Sequence, residues 1–325
     1  MHYRKLGETG LKVSELCLGT MTFQWTCDEV TSFAILDAFR AAGGNFIDTA
    51  DVYSRWAPNN PGGTAETVMG KWQRANRIPR EQMIYATKGR AQMGDDPNAQ
   101  GASRVHLVSA IEDSLRRLQT DYIDLYQIHW PDYDTPLDET LRTLDDLTRA
   151  GKIRYIGASN FPAWYLTKSL WVSDLRKLVR FESIQPHYNL MHRAEFERET
   201  MHLVQDQKLA VIPYSPLAGG YLSGKYRKGQ AIPKGTRGEN NTRIQNYAES
   251  AHGEATLTKL EDIGREHGKT IAQTALAWLL SRPYMTAPIV GASALSQLDE
   301  ALGAVGYRLS TEENVQLDSL TSWTN

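Results

Sequence analysis

Six short apolar segments of this chain finish on side chains that carry charge or hydrogen-bond: Asp48, Lys88, His129, Ser159, Gln185 and Ser215. A buried strand has no packing reason to end this way. Taken alone, each such residue reads as a cap or as half of a salt bridge. Taken together, at equivalent positions in successive strands, they converge on one ring of space, which is how a barrel assembles a site from several strands. An aspartate, a lysine and a histidine brought together can pair charges and exchange protons.

The elements that must position these groups alternate in type. Strand candidates are Leu16 to Leu18, Asn45 to Asp48, Met83 to Lys88, Ile123 to His129, Ile153 to Ser159, Ser183 to Gln185, Val211 to Ser215 and Ala287 to Val290. Between them lie amphipathic helices. Ile35, Ala38, Phe39 and Ala42 share one face and stop at Gly43-Gly44. Val108, Ile111, Leu115 and Leu118 mark a second helix, and Leu137, Leu141, Leu144 and Leu147 a third that stops at Gly151. Short strands alternating with such helices imply parallel βαβ units. Eight of them predict a (β/α)8 TIM barrel spanning residues 1–325 as one domain; an open doubly wound sheet is the rival, usually with fewer strands at this length. Tyr3 to Leu6 and Leu11 to Val13 flank Gly7-Glu8-Thr9-Gly10 and predict an N-terminal β-hairpin. Three long loops, Ser54 to Thr64, Gly89 to Ser103 and Leu217 to about Ala255, all follow strands. They therefore belong to the C-terminal face of the barrel, where such folds keep their active sites.

Composition narrows the partners. Lys plus Arg total 36 against 38 Asp plus Glu, which argues against bulk electrostatic binding to nucleic acid or an anionic membrane. Cys17 and Cys27 form neither a disulfide framework nor a metal-ligand pattern, so a reducing, cytoplasmic location is expected. No segment approaches the roughly 20 apolar residues of a membrane span. The histidines show no metal spacing, and His187 and His192 read as structural or solvent-facing. No G-x-G-x-x-G follows the first strand, so a Rossmann dinucleotide site is not expected. Gly219 to Lys225 fits most of G-x-x-x-x-G-K-[ST], but Tyr226 stands where the metal-binding hydroxyl would be. That segment reads as a phosphate-contacting loop without nucleotide-hydrolysis machinery.

The ordered motifs resemble those of the aldo-keto reductase family, over essentially the whole chain. Gly44 to Tyr53, G-N-F-I-D-T-A-D-V-Y, resembles the segment carrying that family's catalytic Asp and Tyr. Ala86-Thr87-Lys88 resembles its catalytic Lys strand, and Asp121 to Asp132 its catalytic His strand. Gly151 to Asn160 and Tyr214 to Leu217 are similar to its cofactor-binding strands. The resemblance is nearest to the bacterial reductases and potassium-channel β subunits. It implies NADPH-dependent reduction of an aldehyde or ketone by a tetrad of Asp48, Tyr53, Lys88 and His129. Tyr53 would be the acid, Asp48 would pair with Lys88 and hold it charged and oriented, and His129 would hydrogen-bond and orient the substrate carbonyl, sharing some of the proton role. A phenol with a reference pKa of about 10 is too weak an acid unaided, so the expectation is that Lys88 lowers its pKa. In the channel subunits the position matching His129 is altered; a cofactor-sensing regulatory or interaction protein is the alternative function.

The same resemblance implies the cofactor contacts: Thr20, Met21, Asp48, Ser159, Asn160, Gln185, Tyr214, Ser215, Pro216, Leu217 and Gly219 around the nicotinamide and phosphates. Lys225 and Arg237 would meet the phosphates, the alternative being solvated loop charges. Gly291, Ser293, Gln297 and Glu300 match the adenosine end. There Gly291, Gln297 and Ala301 replace a lysine, an arginine and an asparagine of the aldose reductase branch, two of which bind the 2'-phosphate. Trp25, Trp56 and Trp130, with Tyr53 and His129, are candidates to line an apolar substrate pocket, with loop packing as the other reading for Trp25 and Trp56. No metal is expected, and the sequence does not fix the oligomeric state.

Overall fold

The computed structural model describes residues 1–323. It opens with the expected hairpin: β1 (Tyr3–Lys5) pairs antiparallel with β2 (Lys12–Ser14), Tyr3 opposite Ser14 and Lys5 opposite Lys12. Leu6 and Val13 of the hairpin are fully buried. They pack with Cys17, Phe46, Ile84, Leu125, Ala210 and Ala287 in one apolar cluster. These come from the early residues of strands or just before them, so the hairpin plugs the end of the barrel opposite the polar strand ends.

Helices and strands then alternate: β3 (Cys17–Gly19), α1 (Glu29–Ala41), β4 (Phe46–Asp48), α2 (Thr64–Ala75), β5 (Ile84–Gly89), α3 (Arg104–Leu118), β6 (Ile123–Ile128), α4 (Leu137–Arg149), β7 (Ile153–Ser159), α5 (Ala163–Arg176), β8 (Phe181–Gln185), α6 (Met201–Gln207) and β9 (Ala210–Val211). After β9 come α7 (Thr242–Glu249), α8 (Ala251–His267), α9 (Ile271–Leu280), β10 (Ile289–Gly291), α10 (Leu295–Leu302) and α11 (Thr311–Leu320). Strands β3 to β10 form an eight-stranded parallel sheet in the order β10-β3-β4-β5-β6-β7-β8-β9. The two ends meet: Val211 bridges Met285, and the amides of Thr286 and Ile289 donate to the carbonyls of Val211 and Pro213 at 3.0 and 2.9 Å. The result is a (β/α)8 barrel with an N-terminal hairpin.

Two expectations shift. The strand expected over Val211 to Ser215 pairs regularly only at Ala210–Val211. Pro213 and Pro216 have no amide to donate, and Ser215 is left-handed with φ 53°, so the ladder cannot run on. Tyr214 survives as an isolated bridge to His187. The long loop expected to about Ala255 stops near Asn241. The Asn241 side chain accepts from the Ile244 amide at 3.2 Å and starts α7, and Ser250 accepts from the Gly253 amide at 2.8 Å and starts α8. Among the described residues no helix is long and apolar enough to cross a membrane.

The barrel interior is tight where it supports the mouth. The register of β7 against β8 slips between Ile156 and Gly157. A Cβ at Gly157 would lie 2.4 Å from Ser183 Oγ and 3.0 Å from Gln127 Cγ. Gly157→Ala should therefore destabilise the fold by about 1–3 kcal/mol, the usual cost of overpacking, read as a lower urea midpoint. An unchanged midpoint would mean that Ser183 and Gln127 yield the space freely.

Candidate active site

Asp48 ends β4 and Lys88 lies near the end of β5, so their side chains enter the barrel mouth as neighbours. Lys88 Nζ donates to Asp48 Oδ2 at 2.5 Å, to the Thr49 carbonyl at 2.8 Å and to Tyr53 Oη at 2.9 Å. The side chains of Lys88 and Asp48 are 0% and 1% exposed, so neither charge is solvated. Gln127 Nε2 and Gln185 Nε2 both donate to Asp48 Oδ1, at 3.1 and 2.8 Å. Gln127 is a residue that sequence reasoning missed. It lies in β6 two positions before His129, hence on the same strand face, and a glutamine inside an apolar strand was the available signal. Burial pulls the Lys88 pKa down, but the charges of Asp48 and Tyr53 and their hydrogen bonds outweigh it, and the net direction is up.

Tyr53 stands in the loop after β4. Its neighbour Ser54 is buried and left-handed at φ 72°, and the Ser54 hydroxyl donates to the Phe23 carbonyl at 2.6 Å. That bond fixes the loop over the mouth. The expected lowering of the phenol pKa is not what the structure gives. Burial raises it, Lys88 lowers it, Asp48 raises it again, and the value ends at about 12. The His129 ring lies 6.1 Å from the Tyr53 ring, centroid to centroid. Burial, with the positive charges of Lys88 and Arg90, holds the imidazole well below its usual value, so His129 is neutral near pH 7. Trp130 stacks on it at 3.8 Å. Trp56 is edge-on to Tyr53 at 6.2 Å and to Trp25 at 5.5 Å. The three tryptophans, all exposed, thus form a chain of rings around Tyr53 and His129.

The residues expected at the cofactor continue this network. Thr20, at the end of β3, donates through its amide and hydroxyl to the Asp48 carbonyl at 3.0 and 3.1 Å, with half-buried Met21 following. Ser159 Oγ donates to the Gln185 carbonyl at 3.0 Å. Asn160 Nδ2 donates to the His129 carbonyl and to Ser159 Oγ, and its Oδ1 accepts from Tyr214 Oη at 2.9 Å. Tyr214 lies parallel to His187 at 5.1 Å, and His187 in turn stacks on His192 at 4.0 Å. Beyond buried Pro216, Leu217 has φ −102° and ψ 23°, while Ala218, Gly219 and Gly220 are left-handed. The Ala218 and Gly220 amides of this turn donate to the Ser215 and Leu217 carbonyls at 2.9 and 2.8 Å, so the turn closes on itself and presents Lys225 and Arg237 beyond it. Lys225 and Arg237 make no ion pair among the described residues; the Arg237 guanidinium lies over the Trp25 ring at 5.8 Å. These features fit a phosphate-bearing cofactor. At the other edge Gly291 pairs with Gly19, and the Ser293 amide donates to Gln297 Oε1 at 2.9 Å across the first turn of α10. Glu300, further along α10, is half-buried, and its carbonyl accepts from Gln273. No group of three or more His, Cys, Asp or Glu that could hold a metal occurs among the described residues.

A barrel whose strand ends gather an Asp–Lys pair, a tyrosine and a histidine in this order has a family. The aldo/keto reductase family model matches residues 15–322, and the chain belongs to that family. It is 39% identical over 317 residues to the Bacillus subtilis protein named uncharacterized oxidoreductase YrpG, covering 96% of this chain and 93% of that one. It is 33% identical to versiconal hemiacetal acetate reductase of Aspergillus parasiticus, covering 96% and 95%. It is 36% identical to a probable voltage-gated potassium channel subunit beta of Arabidopsis thaliana, covering 94% and 91%. Membership establishes an oxidoreductase scaffold of the kind that acts on small carbonyl compounds.

The buried pair sets a stability test. Asp48→Asn or Lys88→Met should each cost about 3–5 kcal/mol, because each strands an unpaired polar or charged partner. The double variant should cost less than the sum, as expected for directly coupled groups. Strictly additive losses in urea unfolding would show that the pair is not energetically coupled.

Proposed function

We propose that this protein reduces aldehydes or ketones to alcohols with NADPH, using Asp48, Tyr53, Lys88 and His129. The observation that carries the reading is the position of Lys88 Nζ, bonded at once to the Asp48 carboxylate and the Tyr53 hydroxyl. Bound NADPH supplies the hydride. Tyr53 Oη holds the proton that the carbonyl oxygen must receive. With a pKa near 12 the phenol stays protonated at neutral pH. Lys88 then offsets the cost of the phenolate left in a buried place. Neutral His129 aligns the carbonyl by hydrogen bonding, and Trp25, Trp56 and Trp130 give the substrate apolar walls.

The internal bonds also limit what the nicotinamide carboxamide can meet. Both hydrogens of Asn160 Nδ2 are directed within the chain, and Gln185 Nε2 is spent on Asp48 and Gln127. What remains for a ligand is acceptor capacity on Asn160 Oδ1 and Gln185 Oε1, which suits the carboxamide NH2. Tyr214, backed by His187 and tethered by Asn160, offers its ring for stacking. The second reading, a cofactor-sensing regulatory protein, rests on the relatives named as channel β subunits. His129 beside Tyr53 favours turnover.

Tyr53→Phe keeps the ring and removes the proton. Reduction of a simple aldehyde should fall roughly 10²–10⁴-fold, the usual worth of a positioned acid, with NADPH affinity nearly unchanged; near wild-type rates would remove Tyr53 from the chemistry. Lys225→Ala and Arg237→Ala test cofactor choice. Each should weaken NADPH by roughly ten- to hundredfold relative to NADH in Trp-fluorescence titrations, and equal losses for both cofactors would place the 2'-phosphate elsewhere.

A further inference from the structure

Arg90 stands just beyond the end of β5, two residues after Lys88, and the chemistry above gives its guanidinium no bonding partner. Its backbone is left-handed, with φ 105°. That is a rare conformation for a long side chain, and such outliers concentrate where a site imposes them. The conformation is held from outside: the Gly101 amide donates to the Arg90 carbonyl at 3.0 Å. One residue earlier, the Gly89 carbonyl accepts from the His129 amide at 3.0 Å, so Arg90 and His129 are neighbours on adjacent strand ends. The Arg90 charge is felt at His129 and at His106.

The guanidinium is also unspent. Arg90 Nε is buried with no hydrogen-bond partner, and Arg90 enters no ion pair among the described residues. By contrast Arg80, Arg104, Arg116 and Arg117, nearby in sequence, each meet a carboxylate. An unpaired guanidinium borne next to the strand end that carries His129, with its charge reaching that neutral imidazole, lacks an anion. The cofactor phosphates are the wrong anion. Lys225 and Arg237, the unpaired cations suited to those phosphates, follow β9, which lies four strands from β5 in either direction around an eight-stranded barrel, hence across the mouth.

From these observations we infer that Arg90 binds a carboxylate carried by the substrate itself, so that the preferred substrates are oxo acids whose carbonyl reaches His129 and Tyr53. The planar guanidinium can meet a carboxylate with two parallel hydrogen bonds, and the charge sits on the side of the mouth from which the carbonyl is aligned. This inference rests on the reductase reading.

The test compares ω-oxo carboxylates, from glyoxylate to 5-oxopentanoate, with the alkanal of the same carbon number. Wild type, Arg90→Gln and Arg90→Lys are compared by kcat/KM with NADPH. At one chain length or more, wild type should favour the oxo acid at least tenfold. Arg90→Gln should reduce that ratio by roughly ten- to hundredfold, the effect of losing a charge-assisted contact, and Arg90→Lys should restore part of it. Equal use of oxo acids and alkanals by wild type, or an unchanged ratio in Arg90→Gln, would overturn the inference. Failure to reduce either series would overturn the reductase reading instead. Titration of Trp fluorescence with benzoate, against benzamide as the uncharged control, then decides Arg90 separately. Benzoate binding that is lost in Arg90→Gln supports it, and binding that is absent or equal in both proteins defeats it.

Discussion

Lys88 has three N–H donors, lies wholly out of solvent, and spends one donor on each of Asp48, Thr49 and Tyr53. Asp48 is matched in turn, one oxygen receiving Lys88 and the other both glutamines. An ion pair taken out of water is tolerated only when its remaining hydrogen-bonding capacity is satisfied. Here satisfaction draws on β4, β5, β6 and β8 together. The register of these strands is therefore fixed twice, by the ladders and by the charges at their ends. The wiring lies entirely within the chain, so the cost of ordering these side chains is met on folding rather than at each binding event.

The same burial governs the proton. A phenol beside an ammonium would be acidified in water, but withdrawing Tyr53 from solvent penalises its charged form more than Lys88 can favour it. Lys88 limits a rise instead of producing a fall. His129, pushed toward its neutral form by burial and by two cations, is placed as a hydrogen-bonding partner and not as a second positive charge. The acid and the aligning group are thus separated by environment: one keeps its proton and the other stays uncharged.

Much of this was legible in the sequence. The eight βα units, the hairpin and the polar strand ends all follow from alternation and period. The apolar segments are short and the groups after them are too reactive to be packing residues. The two glutamines show where such reading is incomplete. The sequence places Gln185 at the cofactor but does not show that its amide nitrogen also serves Asp48, and Gln127 passes as one polar residue inside an apolar strand. Burial decides both roles, and a linear pattern does not display burial. Helices α7 and α8 were hidden for another reason: their capping residues, Asn241 and Ser250, sit in a polar stretch that reads as loop until the caps are seen to be used. Arg90 was invisible for want of a motif; its backbone angle and its lack of a partner exist only in three dimensions.

Three of the four groups at the mouth are fixed by strands, but Tyr53 is borne on a loop anchored by the left-handed Ser54 and its bond to Phe23. The charge pair and the acid are therefore separately adjustable parts. Changes to the loop can shift the phenol relative to a substrate without disturbing the strands, whereas any change to Asp48 or Lys88 is felt by the whole barrel. Drift in sequence can retune which carbonyls are accepted while the stability of the framework is left alone. A scaffold divided in this way is well suited to diversify by loop exchange.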